Sequence, residues 1–98
     1  MCSDQIAFLY ILANRRNGTL YIGIAHDLRE RVLRHKKNRG SKLTRKHRLH
    51  TLVYYETHAD IHAARRREKQ MRKWNRAWKI RLIETRNPTW ADLLPPCC

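Results

Sequence analysis

Residues 10–31 read YILANRRNGTLYIGIAHDLRER, and the reading of this stretch decides the fold. Two apolar runs, 6–13 and 20–25, rich in Ile, Leu, Tyr and Phe, flank the polar NRRNGT. Asn17-Gly18 is a type I′ turn signal between strand-like runs, so the stretch predicts a β-hairpin. With a two-residue Asn-Gly loop, Tyr10 stands opposite Ala25 and shares a sheet face with Tyr21. One residue more or fewer would put the two rings on opposite faces, because side chains alternate along a strand.

Working outward, Asp27 with Glu30 three residues on is a capping-box variant, and Leu28, Val32 and His35 continue at helical spacing. This helix is expected to fade near Asn38–Gly40, where Gly40 is a natural terminator. Residues 41–49, SKLTRKHRL, read as an exposed basic loop, and 50–56, HTLVYYE, as a third strand. Asp60 caps a helix over 61–74, and Asn75 caps another over 76–85 whose apolar side is Trp78, Leu82 and Ile83. Asn87-Pro88 ends it, and Trp90, Leu93 and Leu94 are expected to pack a tail onto the body. The order β-β-α-β-α-α describes an α+β domain, a three-stranded antiparallel sheet with flanking helices.

The chain's 98 residues suffice for one domain, 1–98, with its core at about 6–94. Lys+Arg total 22 against 8 Asp+Glu, a net charge of +14. Such an excess repels itself unless a polyanion is the partner, and nucleic acid is the commonest one. A membrane surface would need a basic amphipathic helix with bulky anchors, and here the apolar helix positions are required by the core. The longest apolar run, Ile6–Ala13, is eight residues, far short of a span, and MCSDQ lacks the basic start of a signal peptide. The three cysteines, Cys2, Cys97 and Cys98, lie at the ends without a CxxC pair. That pattern speaks against a disulfide framework and against zinc, and for a reducing, cytoplasmic setting.

Two basic clusters, ten Lys/Arg in 29–48 and nine in 65–81, barely mix signs, as phosphate contacts require. Glu68 falls on the apolar stripe Ile61, Ala64, Glu68, Met71 of a basic helix. Its bland reading is an i,i+4 salt bridge; its sharper one is an inward carboxylate that binds a divalent metal. Tyr10 and Tyr21 alone would be ordinary strand aromatics, Gly23 a bulge or a place of close approach to the backbone, and His35 a packed or surface histidine.

Together these residues match a family. Tyr21-Ile22-Gly23 is a literal YIG, and Tyr10 closes Phe8-Leu9-Tyr10 where the tyrosine of a GIY triplet belongs. Arg31 follows Tyr21 by ten residues, His35 by four more, then come Glu68 and Asn87. With the segments LVYYE, REKQ and NPTWADL, the chain resembles the GIY-YIG nucleases, in particular small stand-alone bacterial members, over nearly its whole length. Only the tyrosine of the first triplet survives, and Ile24 stands where several relatives carry a lysine or threonine that helps activate water.

The resemblance implies an endonuclease that hydrolyses DNA phosphodiester bonds with one Mg²⁺ or Mn²⁺, in DNA repair or recombination. Lacking the appended recognition domain of homing endonucleases, it would read DNA structure rather than sequence. Tyr10, Tyr21, Arg31, His35, Glu68 and Asn87 would be its catalytic residues, with Glu68 the metal ligand. Gly23, Arg34, Lys42, Arg45, Lys46 and Arg72 would touch nucleic acid, which includes RNA as a further partner. One tyrosine would take the proton of the attacking water, its phenol lowered from about 10 by Arg31 and the metal. The rival reading is a nucleic-acid-binding module on the same fold with weak or lost chemistry.

Overall fold

A computed structural model describes residues 6–16, 18–36 and 51–93, with residues 35–36 by their main chain only. The elements follow the expected order: β1 (Ala7–Ala13), β2 (Leu20–Ala25), α1 (Leu28–Lys36), β3 (Thr51–His58), α2 (Ile61–Arg72) and α3 (Arg76–Arg86). β3 runs two residues further than its sequence pattern suggests, and α2 stops two earlier. The sheet is antiparallel in the order β2-β1-β3. Central β1 is covered on both faces, which is why it reads as an unbroken apolar run rather than an alternating one.

The hairpin turn differs from the expected one. Ala13 pairs with Leu20, so the loop spans 14–19 instead of two residues. It is closed by the Gly18 amide donating to the Arg15 carbonyl at 2.9 Å and the Thr19 amide donating to Asn14 Oδ1 at 3.0 Å. A type I′ turn needs positive φ at its two central residues, and Gly18 does not have it; Asn17 lies outside the described residues. Arg76 of α3 donates to the Gly18 carbonyl, so the longer loop is tied to a helix that the hairpin signal knew nothing of. The register therefore slips by two, setting Tyr10 opposite Gly23 and Leu12 opposite Tyr21. An even slip keeps facing parity, so the tyrosines still share a face.

Each face of the sheet packs its own cluster. Leu9, Ile11 and Ala13 look toward Met71 of α2, Ile83 of α3 and Trp90. Tyr10 and Leu12 look toward Leu28 and Val32 of α1, with Leu52 of β3. Full burial of each Leu or Ile here contributes about 1.5–3 kcal/mol. β3 pairs Tyr54 with Ile11 but Leu52 with Leu12, leaving Val53 as the extra residue of a bulge.

The expected caps form. Asp27 Oδ1 accepts from the Glu30 amide at 3.0 Å, Asp60 Oδ1 from the Ala63 amide at 2.8 Å, and Asn75 Oδ1 from the Trp78 amide at 2.9 Å. Glu30 spends its carboxylate on Arg34, at 2.6 Å, instead of on a reciprocal box. Trp90 is buried and joins the core at φ 59°, while Leu93 donates its amide to the Leu52 carbonyl at 2.7 Å, fastening the tail to β3. Leu94 and the predicted basic loop lie outside the described residues. One expectation fails outright: Trp78 is 53% exposed, because it sits about 140° around α3 from the buried Ile83. Among the described residues no helix is long and apolar enough to cross a membrane.

Candidate active site

The hairpin brings Tyr10 and Tyr21 together at the α1 face, ring centroids 6.4 Å apart and planes tilted by 47°. Gly23 explains how they fit. A Cβ on Gly23 would lie 2.5 Å from the Tyr10 hydroxyl, 2.6 Å from Tyr10 Cζ and 3.0 Å from Tyr21 Cε2. The missing side chain makes room for the Tyr10 ring, which lies across the β2 backbone. The sequence pattern allows either a bulge or a close approach to the backbone here, and the structure shows the close approach, made by the protein's own phenol.

Tyr10 is fully buried, whereas Tyr21 is half-buried. Burial pushes the Tyr10 phenol up to about 12, helped by the neighbouring Tyr21 and Glu68; Arg31 opposes this through its charge and a hydrogen bond to the phenol. Those couplings gather Arg31 from α1 and Glu68 from α2 around Tyr10. At Tyr10, desolvation outweighs the one arginine. Arg31 Nε is buried and has no hydrogen-bond partner among the described residues. An orphaned buried donor costs about 1–3 kcal/mol.

Glu68 sits on the inner stripe of α2, between the buried Ala64 and Met71, and accepts from Arg72 at 3.0 Å. The carboxylate is only 22% exposed while Arg72 is 63% exposed, so the arginine can swing away into solvent and leave Glu68 facing inward. The salt bridge and the inward carboxylate are thus both present. Beside Tyr21 a cleft of about 230 Å³ is lined by Leu20, Tyr21, Ile22, Arg72 and Lys79. Lys79 was not singled out by the sequence; it belongs to a basic cluster, and only the docking of α3 beside β2 turns it toward the tyrosine.

Of the remaining expected site residues, the structure describes the side chains of Arg34 and Asn87, and neither joins this group. Arg34 is half exposed and paired with Glu30. His35 occupies α1 one turn after Arg31, and its side chain is outside the described residues, as are Lys42, Arg45 and Lys46. Asn87 is at the other edge of the sheet. Its Nδ2 donates to the Val53 carbonyl at 3.0 Å and to the Ala91 carbonyl at 2.9 Å, and its Oδ1 accepts from the Ala91 amide at 3.1 Å. Asn87 therefore satisfies the carbonyl that the β3 bulge releases from the ladder. These bonds brace the end of α3 and the tail against β3.

Among the described residues no three His, Cys, Asp or Glu side chains group to cage a metal. One carboxylate does fit an ion such as Mg²⁺ or Mn²⁺ that completes its shell with phosphate oxygens and water, and Glu68 is the residue that would hold it.

Residues 6–81 match the model of the GIY-YIG catalytic domain. A UPF0213 protein of Staphylococcus epidermidis is 35% identical over 77 residues, covering 79% of this chain and 93% of that protein. A UPF0213 protein of Staphylococcus aureus is 37% identical over 79 residues, covering 81% of this chain and 95% of its own length. No solved structure was found to match. A family model spanning most of the chain, together with relatives more than one-third identical across nine-tenths of their length, makes this protein a member of the GIY-YIG nuclease family.

Proposed function

We propose that the protein is a divalent-metal-dependent endonuclease that hydrolyses DNA phosphodiester bonds and selects DNA by structure, in repair or recombination. The observation that carries this reading is the convergence of Tyr21, Arg31 and Glu68 on the buried Tyr10 phenol. Hydrolysis needs a water in line, neutralisation of charge gathering on the equatorial oxygens, and a stabilised leaving oxygen. Arg31 supplies a planar cation whose fork suits phosphate. A bound Mg²⁺ or Mn²⁺ at Glu68 would supply charge neutralisation and Lewis acidity.

The tyrosines divide the remaining work. Tyr10 keeps its proton far above neutral pH, so it serves as a donor that positions an oxygen. Tyr21, which borders the cleft, faces the water and is the candidate base. Lys79 and Arg72 hold the flanking phosphates.

The test is incubation with branched, nicked and single-stranded DNA, with Mg²⁺, Mn²⁺ or EDTA, beside the Glu68→Ala variant. Metal-dependent cutting that this substitution abolishes is the expected result. Binding with no cutting under any metal would refute it in favour of a binding module. The same substrates in RNA form, bound or cut in preference to DNA, would refute the choice of nucleic acid.

A further inference from the structure

The outer flank of α3 carries a surface that the cleavage reading leaves unused. Trp78 is 53% exposed, an uncommon position for so large a ring. It meets Trp74 edge-on, with centroids 6.1 Å apart. Trp74 is fixed in turn: the Arg67 guanidinium lies 5.0 Å from its ring centroid, and Arg67 is held by Glu56 at 3.0 Å and Gln70 at 3.2 Å. Between them runs a groove of about 290 Å³ lined by Trp74, Trp78, Arg81, Leu82 and Thr85. Positions 78, 81, 82 and 85 recur at helical spacing, so one face of α3 presents the ring beside the exposed Arg81.

Charge indicates the occupant. α3 carries Arg76, Lys79, Arg81 and Arg86 against Glu84 alone, and Glu84 accepts from the Trp90 indole N–H at 2.8 Å. A rigid π surface on a helix of net positive charge, beside the exposed Arg81, complements a flat, anionic partner. Paired bases are hidden within a duplex, whereas an unpaired one offers both a face to stack and a phosphate to pair. We propose that the Trp74–Trp78 groove is a second nucleic-acid site, stacking an unpaired base on Trp78 while Arg81 contacts its phosphate.

The site does not depend on catalysis, and its test is a binding measurement on the full chain with EDTA present. The probes are a thymidine oligonucleotide, an abasic oligomer of equal length, and a duplex. Single strand should quench tryptophan fluorescence, and Trp78→Ala should weaken its binding roughly tenfold, the usual worth of one stacked base. Duplex and abasic binding should change by less than about twofold, and Trp78→Phe should retain most of the single-strand affinity. Arg81→Gln should lower the salt slope by about one. Equal loss on all three probes, or no loss on the single strand, overturns the proposal. So does a Trp78→Ala variant that turns a dimer into a monomer in sedimentation while oligonucleotide binding stays intact, which would assign the face to a second copy of the chain.

Discussion

Gly23→Ala tests the site at its tightest point. Where nothing obstructs, Gly-to-Ala at an ordinary strand φ stabilises by about 0.4–1 kcal/mol, because the unfolded chain loses freedom. Gly23 has no positive φ, so conformation alone predicts a gain. The collision predicts the opposite. The new Cβ would lie 2.5 Å from the Tyr10 hydroxyl and 2.6 Å from Cζ, about 1 Å inside ordinary contact. Tyr10 is 0% exposed, so its ring cannot retreat into solvent and its neighbours must move with it. Overpacking of this kind costs about 1–3 kcal/mol, or roughly 5–20 °C in melting temperature for a domain of this size. A displacement near 1 Å at the phenol should lower cleavage about a hundredfold. Thermal melts and cleavage rates read the two effects separately. In a Tyr10→Leu background, where the ring tip is gone, the same substitution should become neutral or stabilising. A full stability cost that persists in that background would refute the collision as its cause.

Arg31→Ala should reduce cleavage by two or more orders of magnitude, whereas Arg29→Ala, about 200° away around α1, should leave it nearly unchanged; the reverse ranking in a cleavage assay would refute the site. Asn87→Ala orphans the Val53 carbonyl and should cost about 1–3 kcal/mol in a denaturant melt, with cleavage per folded molecule preserved. Tyr10→Phe and Tyr21→Phe should each lower the cleavage rate, and a variant that cuts at the full rate would remove that phenol from the proposed site. Stability should also fall in alkali: the unfolded phenols ionise near 10 while Tyr10 and Tyr54 hold their protons to about 12. The folded state thus binds more protons between those values and weakens as pH rises through them, visible as coincident tyrosinate absorbance and loss of circular dichroism.

Much of this was legible because local signals and tertiary packing agree. Asp27, Asp60 and Asn75 cap helices where side-chain chemistry favours them, and the continuous apolar run of β1 reflects a central strand. The hairpin loop departs from its sequence pattern because the turn signal at Asn17-Gly18 is local, whereas the loop is set by Asn14 and by Arg76 from α3, 58 residues beyond Gly18. The exposure of Trp78 is hidden from the sequence for a similar reason. With Ile80, Leu82 and Ile83 also apolar, α3 has no clean stripe, and only docking decides which side is inward. Asn87 resembles a polar site residue in one dimension; its buried partners appear only once the β3 bulge is known.

The roles of the two tyrosines could not be separated in sequence, since each is a strand tyrosine on the same face. The fold separates their surroundings through Gly23. By ceding its Cβ volume, Gly23 lets the Tyr10 ring lie flat on the edge strand β2, beneath α1 and out of water. Burial then fixes Tyr10 as a protonated donor, and the two negative neighbours, Tyr21 on ionising and Glu68, reinforce that state. A phosphate bound at Arg31 would add further negative charge nearby and hold the proton more firmly still. In the proposed function, the glycine of the YIG triplet therefore acts before any substrate arrives: it seats Tyr10 as the buried, protonated phenol and leaves Tyr21 beside the cleft to meet the water.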